Sequence, residues 1–561
     1  MGAALALAAL GGGLAGSILV PFGPNGGLHF ALDALSALFL LILCVSGAAA
    51  ALACEARFLP FAIGALALAL LAADGFILVL AFGSASLAVW ALERRDRSGL
   101  AQAACVTLLL AAAMLLLAPQ DGGMDLRFTE MRDAPPEGIR AFAVLLLTVL
   151  GTGSRLAWPS RPGPGGALLS GGIAAVAVYA LVRVLFDLCG PAAPGWWGLP
   201  LLALGAAGMV LGGLRANAED SLLAILAASR LGAAGLVAVG LGVALAARGS
   251  DLMSLSALAL AAALLHGVSY AVSDTLLVLC TAAVSRGAGA EALSQLGGLI
   301  RTMPGVALGA LVGAACLAGL PLTAGFAGRW LLIQSLLADQ RLGGFASQVG
   351  FALVLAAVAL GAALAAAAAV RLIGIGFLGR PRTPRAGTAT DAPRQVRLAI
   401  AALAACCLLL GVLPSAALAL IQPSLRRLLG VGLDGARILA VSPQLDGPGY
   451  AAPGIAAVLV LSGIAVAWAM SRIGRQDSRR VPAWDGGQAA PPELPFGDPA
   501  TQYSAASAGQ ATLESLGYPA RRLDLKWWAN AAISRVGRLK LAGSVGALLL
   551  VLIGLLLWAI Q

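Results

Sequence analysis

The sequence predicts an all-α, polytopic membrane protein, and three observations support this class. The chain has 561 residues, of which 60% are hydrophobic and 11% are charged, and its mean hydropathy is +0.93. Apolar runs of near-bilayer length follow one another along most of the chain, and a bilayer core takes about 20 helical residues. The chain also holds 72 glycines, and small residues let membrane helices approach closely. A soluble domain of this length does not have such a composition.

The apolar runs predict about 14–16 transmembrane helices. The runs are 3–22, 29–53, 58–73, 75–92, 99–118, 140–157, 166–188, 196–214, 221–247, 252–285, 303–320, 321–338, 346–379, 396–421, 450–473 and 541–560. The run at 252–285 is too long for one ordinary span. We therefore expect either two spans there or one span that is broken near Gly267.

The chain divides into seven segments by composition. These are N-terminal transmembrane helices (1–118), an extramembrane loop (119–139), two core parts (140–285 and 286–421), a loop with a helix (422–473), a polar segment (474–540) and a final span (541–560). The polar segment is rich in proline and glycine, so it is either a disordered linker or a docking or bracing segment.

The charge and cysteine content exclude several classes of function. The net charge of +10 is mostly arginine, since Lys526 and Lys540 are the only lysines; basic loops suit membrane orientation better than nucleic-acid binding. The eight cysteines show no C-x-x-C spacing, so iron–sulfur, nickel or haem sites are not expected. No nucleotide-binding loop is present, and residues 1–22 resemble a first span or anchor rather than a cleavable signal peptide. We therefore expect no bound cofactor.

Polar residues inside the apolar runs are the candidate functional groups. His266 and Asp274 lie in the middle of the run at 252–285, and Gly319, Pro321, Gly325 and Gly328 lie close together around the junction of the runs at 303–320 and 321–338. Such residues at membrane depth face protein or a water-filled cavity, and ionisable ones mark ion paths by default. The alternative is a satisfied polar cluster that only packs helices. Near the ends of spans, Asp33 is expected either to snorkel or to cap a helix, and Asp74 is expected to cap the helix that starts at Gly75.

Several stretches carry a family pattern, in one order along the chain. They are Leu265-His266 with Ser269 to Asp274, Gly297-Gly298-Leu299 with Met303-Pro304, Leu320-Pro321 to Trp330-Leu331, Trp484-Asp485-Gly486-Gly487, and Thr501 to Ser507. In this pattern the chain resembles the antiporter-like, proton-conducting membrane subunits of respiratory complex I and Mrp antiporters. Within that family, the pattern resembles the branch of hydrogenase-4 component B, or formate hydrogenlyase subunit 3.

The resemblance implies two inverted repeats of five helices, each with one broken helix, and a counterpart break near 158–165. It also implies proton translocation in a redox complex of the bacterial inner membrane. Electron transfer would take place in soluble metalloenzyme subunits, and other membrane subunits would be neighbours. The chain itself is expected to be a non-catalytic subunit.

The relay of buried lysines and glutamates expected from the resemblance is largely missing. The positions that carry those groups in the family hold Gly83, Ala175, Asp274, Arg329 and Arg371 in this chain. A buried lysine can release a proton near neutral pH, whereas arginine does not deprotonate usefully.

The remaining interior charges are expected to form a proton path or buried pairs. The candidate residues are His266, Asp274, Arg329, Arg371, Asp220, Glu219, Arg230 and Arg183. We expect Arg230 to pair with Glu219 or Asp220, and Asp274 with Arg329 or Arg371, because isolated charges in a bilayer are costly.

Three functions follow from these observations. The first is an ion-translocating subunit of a redox complex with a degenerate relay. The second is a scaffold subunit that has lost transport, and the third is a stand-alone ion carrier. Neutralising Asp274 distinguishes the first from the second, and activity without partners would identify the third.

Overall fold

The computed structural model describes residues 2–11, 16–20, 27–53, 58–93, 97–119, 125–133, 135–157, 166–190, 193–338, 345–433, 436–437, 440–441 and 451–473. Within them, nine helices are long and apolar enough to cross a membrane, and four shorter apolar helices accompany them. The strands of these residues form only two small antiparallel hairpins. The predicted all-α membrane class is confirmed. The segment at 474–561, with its predicted last span, lies outside the described residues.

The first part of the chain forms eight helices and one hairpin. Their bounds are α1 Gly2–Leu10, β1 Gly16–Val20, β2 Leu28–Leu32, α2 Ala34–Ala53, α3 Leu59–Leu71, α4 Gly75–Glu93, α5 Arg97–Leu117, α6 Phe128–Asp133, α7 Gly138–Ala157 and α8 Gly166–Val182. A π-helical turn, Arg183–Leu188, extends α8. The predicted span at 3–22 is wrong, because α1 ends at Leu10 and the strand Gly16–Val20 pairs with Leu28–Leu32.

The second part forms eleven more helices and a two-residue hairpin. Their bounds are α9 Gly198–Ala218, α10 Leu222–Gly249, α11 Met253–Ala288, α12 Leu299–Thr302, α13 Pro304–Ala318, α14 Ala324–Leu337, α15 Phe345–Gly376, α16 Pro384–Gly387, α17 Arg394–Val412, α18 Pro414–Leu429, β3 Ala436–Arg437, β4 Ala440–Val441 and α19 Ala452–Ile473. The predicted run at 396–421 is two helices, because Pro414 begins α18.

Helix α11 is the central element, and it is unbroken over 36 residues. The predicted break near Gly267 is therefore wrong. The hydroxyls of Ser269 and Thr275 donate to the carbonyls of Leu265 and Ala271 in the same helix, which satisfies them without interrupting it. Gly267 instead admits the side chain of Val178 from α8. The helix is about 54 Å long, and its most apolar window is completely buried.

The break occurs in the neighbouring span, between α13 and α14. A Cβ atom added to Gly309 would lie 3.2 Å from Cys280 Sγ, and one added to Gly328 would lie 2.8 Å from the amide nitrogen of His266. Helices α13 and α14 thus advance along α11 in the same direction. The predicted runs at 303–320 and 321–338 are one discontinuous span, interrupted at 319–323.

Two ends of the bundle can be distinguished from the contacts along α11. Helix α10 runs antiparallel to α11, because the amide of Leu222 donates to the carbonyl of Glu291 at 2.9 Å. We call this the Glu291 end. At the opposite end, Arg248 at the close of α10 meets the carbonyl of Phe186, next to Asp33 and Arg183. We call this the Asp33 end.

Candidate functional site at the interrupted span

The interruption between α13 and α14 leaves two helix ends inside the bundle. A helix end carries unpaired backbone groups and a partial charge, negative at the carbonyl end of α13 and positive at the amide end of α14. Residues within the interruption satisfy some of the unpaired carbonyls of α13, because the amides of Gly319 and Leu320 donate to the carbonyls of Cys316 and Ala315. Leu322 adopts a left-handed backbone with φ of 68°. Such strain costs about 1–3 kcal/mol in a residue other than glycine.

Arg329 bridges the interruption from the α14 side. Its Nη2 donates to the carbonyl of Leu317 at 2.7 Å, so its positive charge lies at the negative end of α13. Its Nε and Nη1 are buried and have no hydrogen-bond partner among the described residues. Within the same residues, no carboxylate forms an ion pair with Arg329. The predicted pairing of Arg329 with Asp274 is therefore wrong.

His266 faces this interruption from α11. Its side chain is 3% exposed, and neither ring nitrogen has a partner among the described residues. The ring stacks on Tyr270, with centroids 6.5 Å apart, and the buried Tyr270 hydroxyl likewise has no partner there. Three unsatisfied polar groups thus lie within one turn of α11 and the facing turn of α14. Buried polar groups of this kind normally bind ordered water.

Asp274 pairs with Arg230 of α10. The Arg230 Nε donates to Oδ1 at 3.1 Å and to Oδ2 at 3.0 Å, and both side chains are almost completely buried. The predicted pairing of Arg230 with Glu219 or Asp220 is wrong, because Arg230 lies two turns inside α10, level with Asp274. Glu219 and Asp220 precede that helix.

Two adjoining cavities connect these groups. The larger, about 30 Å³, and the smaller, about 20 Å³, are both bordered by Ser229, His266 and Arg329. The smaller one continues to Tyr270 and Asp274. A cavity needs about 10–15 Å³ and two to four polar partners to hold a water molecule. Each cavity is therefore large enough for at least one water, and together they extend from Arg329 to the Arg230–Asp274 pair.

The other predicted charges near the Glu291 end are held by local contacts. Arg371 of α15 donates to the main-chain carbonyls of Ala216 and Glu219. The Glu219 carboxylate pairs with Arg215 at 3.2 Å, and the Asp220 carboxylate accepts from the amide and hydroxyl of Ser294. Arg371, Glu219 and Asp220 do not line either cavity, although Ala216 borders the larger one. The predicted pairing of Arg371 with Asp274 is wrong.

Arg183 belongs to a separate cluster at the Asp33 end. It is 2% exposed and forms ion pairs with Asp33 and Asp187, while Arg132 pairs with Asp187 and Arg427 with Asp33. Burial acts to raise the pKa of Asp33, but the guanidinium groups of Arg183 and Arg427 hold that pKa well below its usual range. This cluster fixes the start of α2 against the end of α8.

Both predicted helix caps are confirmed. The Asp33 carboxylate accepts from the amide of Ser36 at 2.8 Å, and the Asp74 carboxylate accepts from the amide of Ile77 at 2.7 Å. The sequence did not reveal that Asp33 also neutralises Arg183. A buried arginine such as Arg183 requires a carboxylate partner. The sequence could not identify Asp33 as that partner, because the two residues are 150 positions apart.

The two relay positions in the first part of the chain cannot carry protons. Gly83 of α4 faces the Thr107 side chain, and Ala175 of α8 is completely enclosed. The predicted counterpart break at 158–165 and the pattern at 484–507 lie outside the described residues. In the part of the chain that is described, no group of three or more His, Cys, Asp or Glu side chains is placed to hold a metal ion.

Comparison with known proteins agrees with this architecture. Residues 157–355, which hold α11, α13 and α14, match the family described as NADH:quinone oxidoreductase/Mrp antiporter, transmembrane. This stretch is therefore similar to antiporter-type membrane domains. The predicted resemblance is confirmed, and the apolar helices of the described residues together with this match indicate a multi-pass membrane protein.

Curated relatives extend beyond the antiporter-type domain. Formate hydrogenlyase subunit 3 of Escherichia coli is 32% identical over 54% of this chain and 52% of its own length. Hydrogenase-4 component B of the same organism is 28% identical over 60% and 53%. An uncharacterized protein of Mycobacterium tuberculosis is 32% identical over 66% and 59%. The chain thus spans little more than half the length of these relatives.

Solved structures show the same fold. A subunit of the membrane-bound sulfane sulfur reductase, an archaeal respiratory membrane complex, matches with a TM-score of 0.75 at 20% identity, over 98% of this chain and 93% of that one. A subunit of respiratory complex I from Thermus thermophilus matches with a TM-score of 0.60 at 23% identity, over 74% and 90%.

Proposed function

We propose that this protein is an antiporter-like membrane subunit of a hydrogenase-4-like or complex-I-like redox complex, and that protons cross it at the interrupted span. The observation that carries the proposal is the row of buried, unsatisfied groups along two adjoining cavities. His266, Tyr270 and Arg329 contribute four such nitrogen atoms and one hydroxyl. The relatives named above support membership of a membrane complex.

The chemistry of this row assigns a different role to each residue. His266 can bind and release a proton at a ring nitrogen, and neither of its ring nitrogens has a partner among the described residues, so we assign it as the proton acceptor and donor of the path. Asp274 is the carboxylate that stabilises an arriving proton. Arg230 donates hydrogen bonds to this carboxylate and competes with the proton for it. Arg329 cannot release its proton usefully. It therefore acts as a fixed charge that orders water beside His266, and water carries the proton between these groups.

A scaffold function is the second candidate, and one observation favours it. The Arg230–Asp274 pair is closed by two contacts of 3.0 and 3.1 Å, and breaking a buried pair costs about 3–5 kcal/mol. With Gly83 and Ala175 in the first part of the chain, a permanently closed pair would leave no continuous relay. The subunit would then contribute its fold and its contacts.

Proton flux into vesicles distinguishes the two candidates. The protein, purified with its natural partners, is reconstituted, and proton uptake is measured under a potassium diffusion potential and during turnover of the complex. We expect His266→Ala and Asp274→Asn to lower proton uptake at least tenfold while electron transfer and assembly continue. Unchanged uptake in both variants would exclude the path and leave the scaffold.

Two further variants guard against misfolding. Asp274→Asn alone leaves Arg230 buried without its partner, so the double variant Arg230→Gln/Asp274→Asn tests the same path with both charges removed. Asp251→Asn is the matched control: Asp251 is an exposed carboxylate in the turn between α10 and α11, and asparagine tolerates its left-handed backbone. Uptake should be unchanged in this control.

The partners and the membrane belong to the same proposal. We expect soluble metalloenzyme subunits and other antiporter-like subunits to co-purify from the bacterial inner membrane after gentle solubilisation. Recovery of the chain alone, or as a homo-oligomer, would overturn the complex and favour a stand-alone carrier.

A further inference from the structure

Charged side chains are divided unevenly between the two ends of the bundle. Among the residues whose side chains the structure describes, arginines are frequent at the Glu291 end and include Arg215, Arg286, Arg301, Arg371, Arg380, Arg382, Arg385, Arg394 and Arg397. The carboxylates of that end with described side chains include Glu219, Asp220, Glu291 and Asp391. The described part of the Asp33 end is balanced, with Arg127, Arg132, Arg140, Arg183, Arg248, Arg426 and Arg427 against Asp33, Asp74, Asp125, Glu130, Asp133, Glu137, Asp187 and Asp251.

Five arginines of the Glu291 end lie on one surface around the connections next to α13. Arg385 packs over Gly289 and Arg382 over Gly297, because a Cβ atom at either glycine would meet the arginine side chain within 3.4 Å. Arg397 packs over Gly305 in the same way. Arg301 and Arg394 are exposed beside them. We call Arg301, Arg382, Arg385, Arg394 and Arg397 the arginine surface.

Four members of the arginine surface, Arg301, Arg385, Arg394 and Arg397, remain exposed although carboxylates lie nearby. Asp391 lies 3.9 Å from Arg397, whose side chain remains 50% exposed, and Asp391 also accepts from the amide of Gly305 at 2.9 Å. Glu291 accepts from the hydroxyl of Ser285. The exposed guanidinium groups therefore form a positive field at the level where the membrane helices end.

An exposed apolar track continues from the arginine surface along α13 and α17. These two helices are in close contact, since a Cβ atom on Gly309 would overlap Ile400. On their outer side, Leu308 is 64% exposed, Leu311 is 50% exposed and Leu398 is 61% exposed. Cationic groups thus stand directly above an apolar strip that runs toward the middle of the bundle.

We propose that the arginine surface binds the phosphate headgroup of an anionic phospholipid, whose acyl chains lie along Leu308, Leu311 and Leu398. Arginine suits this ligand because its planar guanidinium binds phosphate oxygens in bidentate geometry. The combination of charge above an apolar strip matches an amphipathic ligand. An acidic protein segment would use the charge and leave the strip unused. This inference is independent of the proposed proton path.

Lipid retention tests the inference directly. The whole protein is reconstituted in nanodiscs of phosphatidylcholine with increasing phosphatidylglycerol or cardiolipin, and bound lipid is counted by native mass spectrometry. We expect the Arg394→Gln/Arg397→Gln variant to retain these lipids about 30-fold less tightly, since each arginine near a membrane surface contributes about a factor of five. Retention should also fall with added salt.

A matched control removes two arginines from the other end. Arg127→Gln/Arg426→Gln lowers the net charge by the same amount, and retention should remain within twofold of the unmodified protein. A third variant, Leu308→Gln/Leu398→Gln, should weaken retention without changing charge. Equal retention in the arginine variant and its control would overturn the inference. So would unchanged retention in the leucine variant, because the acyl chains would then not lie along Leu308 and Leu398.

Discussion

The buried arginines of this protein differ in what neutralises them. Arg230 has the Asp274 carboxylate, and Arg183 has two carboxylates, Asp33 and Asp187. Arg329 has the carbonyl end of a helix, at Leu317. A full carboxylate neutralises a charge, whereas a helix terminus carries only about half a charge. The balance at Arg329 therefore depends on water more than at the other two sites.

At the residue scale, we predict strong coupling between Arg230 and Asp274. Each single variant, Arg230→Leu or Asp274→Leu, should lower the free energy of unfolding by about 3–5 kcal/mol, because it leaves one buried charge unpaired. The double variant should be more stable than either single variant, since two apolar side chains need no partner. Thermal unfolding in detergent measures all four proteins, and simple additivity would contradict the prediction.

The Asp33 carboxylate gives a second residue-scale prediction with a defined pH dependence. Asp33→Asn should destabilise the protein by about 3 kcal/mol at pH 7, because Arg183 loses a partner. The pKa of Asp33 is depressed in the fold, so its contribution is complete above the unfolded pKa of about 3.9. That contribution is lost as the pH falls through the lower folded value.

Unfolding curves between pH 3 and pH 8 check this prediction. The difference between the unmodified protein and Asp33→Asn should be constant from pH 5 to pH 8 and should shrink only in more acidic solution. Asp125→Asn is the control, because Asp125 forms a partly exposed pair with Arg127. Surface pairs of this kind contribute about 0–1 kcal/mol.

At the element scale, the interrupted span depends on close contact between α14 and α11. Gly328→Ala should destabilise the protein by about 1–3 kcal/mol, since the added methyl would lie 2.8 Å from the amide nitrogen of His266 and would push the two helices apart. It should also alter proton uptake, because the cavities lie at this contact.

Gly374→Ala is the matched control for that substitution. Gly374 lies in α15 with open space where the methyl would stand, and alanine is the better helix former by about 0.5–1 kcal/mol. The control should therefore be neutral or slightly stabilising. A comparable loss in both variants would mean that the α11–α14 contact is not tight.

The sequence predicted the positions of most helices, but it placed the break in the wrong span. The hydroxyls and Gly267 in α11 suggested a break, but their hydrogen bonds return to the carbonyls of the same helix. The true interruption at 319–323 was visible as Gly319 and Pro321, although the two flanking runs resembled separate spans. The length of an apolar run cannot distinguish two complete spans from two halves of one span. The distinction depends on whether the two helices run along α11 in the same direction or in opposite directions.

The sequence identified the residues of the site, but it identified only part of their arrangement. His266, Asp274 and Arg329 do border the same cavities. The pairings failed because they were chosen by charge alone. A helix end can replace a carboxylate beside Arg329, and Arg230 is level with Asp274 only once α10 and α11 are set antiparallel.

At the scale of the whole molecule, the uneven charge predicts the orientation in the membrane. Cytoplasmic loops carry an excess of arginine and lysine, so we expect the Glu291 end to face the cytoplasm. In a variant whose eight cysteines are replaced, a single cysteine at Arg385 should resist a membrane-impermeant maleimide in intact cells. A cysteine at Asp125, on the other end, should react. The reverse pattern would show the opposite orientation.

Helix α19 contributes almost nothing to the packing of the described residues, whereas α11 is enclosed along its length. Trp468 and Met470 of α19 are both more than 60% exposed. During evolution, one apolar residue can therefore replace another in α19 without disturbing a neighbouring side chain. Most substitutions in α11 would disturb several neighbouring side chains. The family match includes α11 and ends at residue 355, well before α19. We expect the sequence of α19 to drift fastest among the spans, so that distant relatives would share its hydropathy and little of its identity.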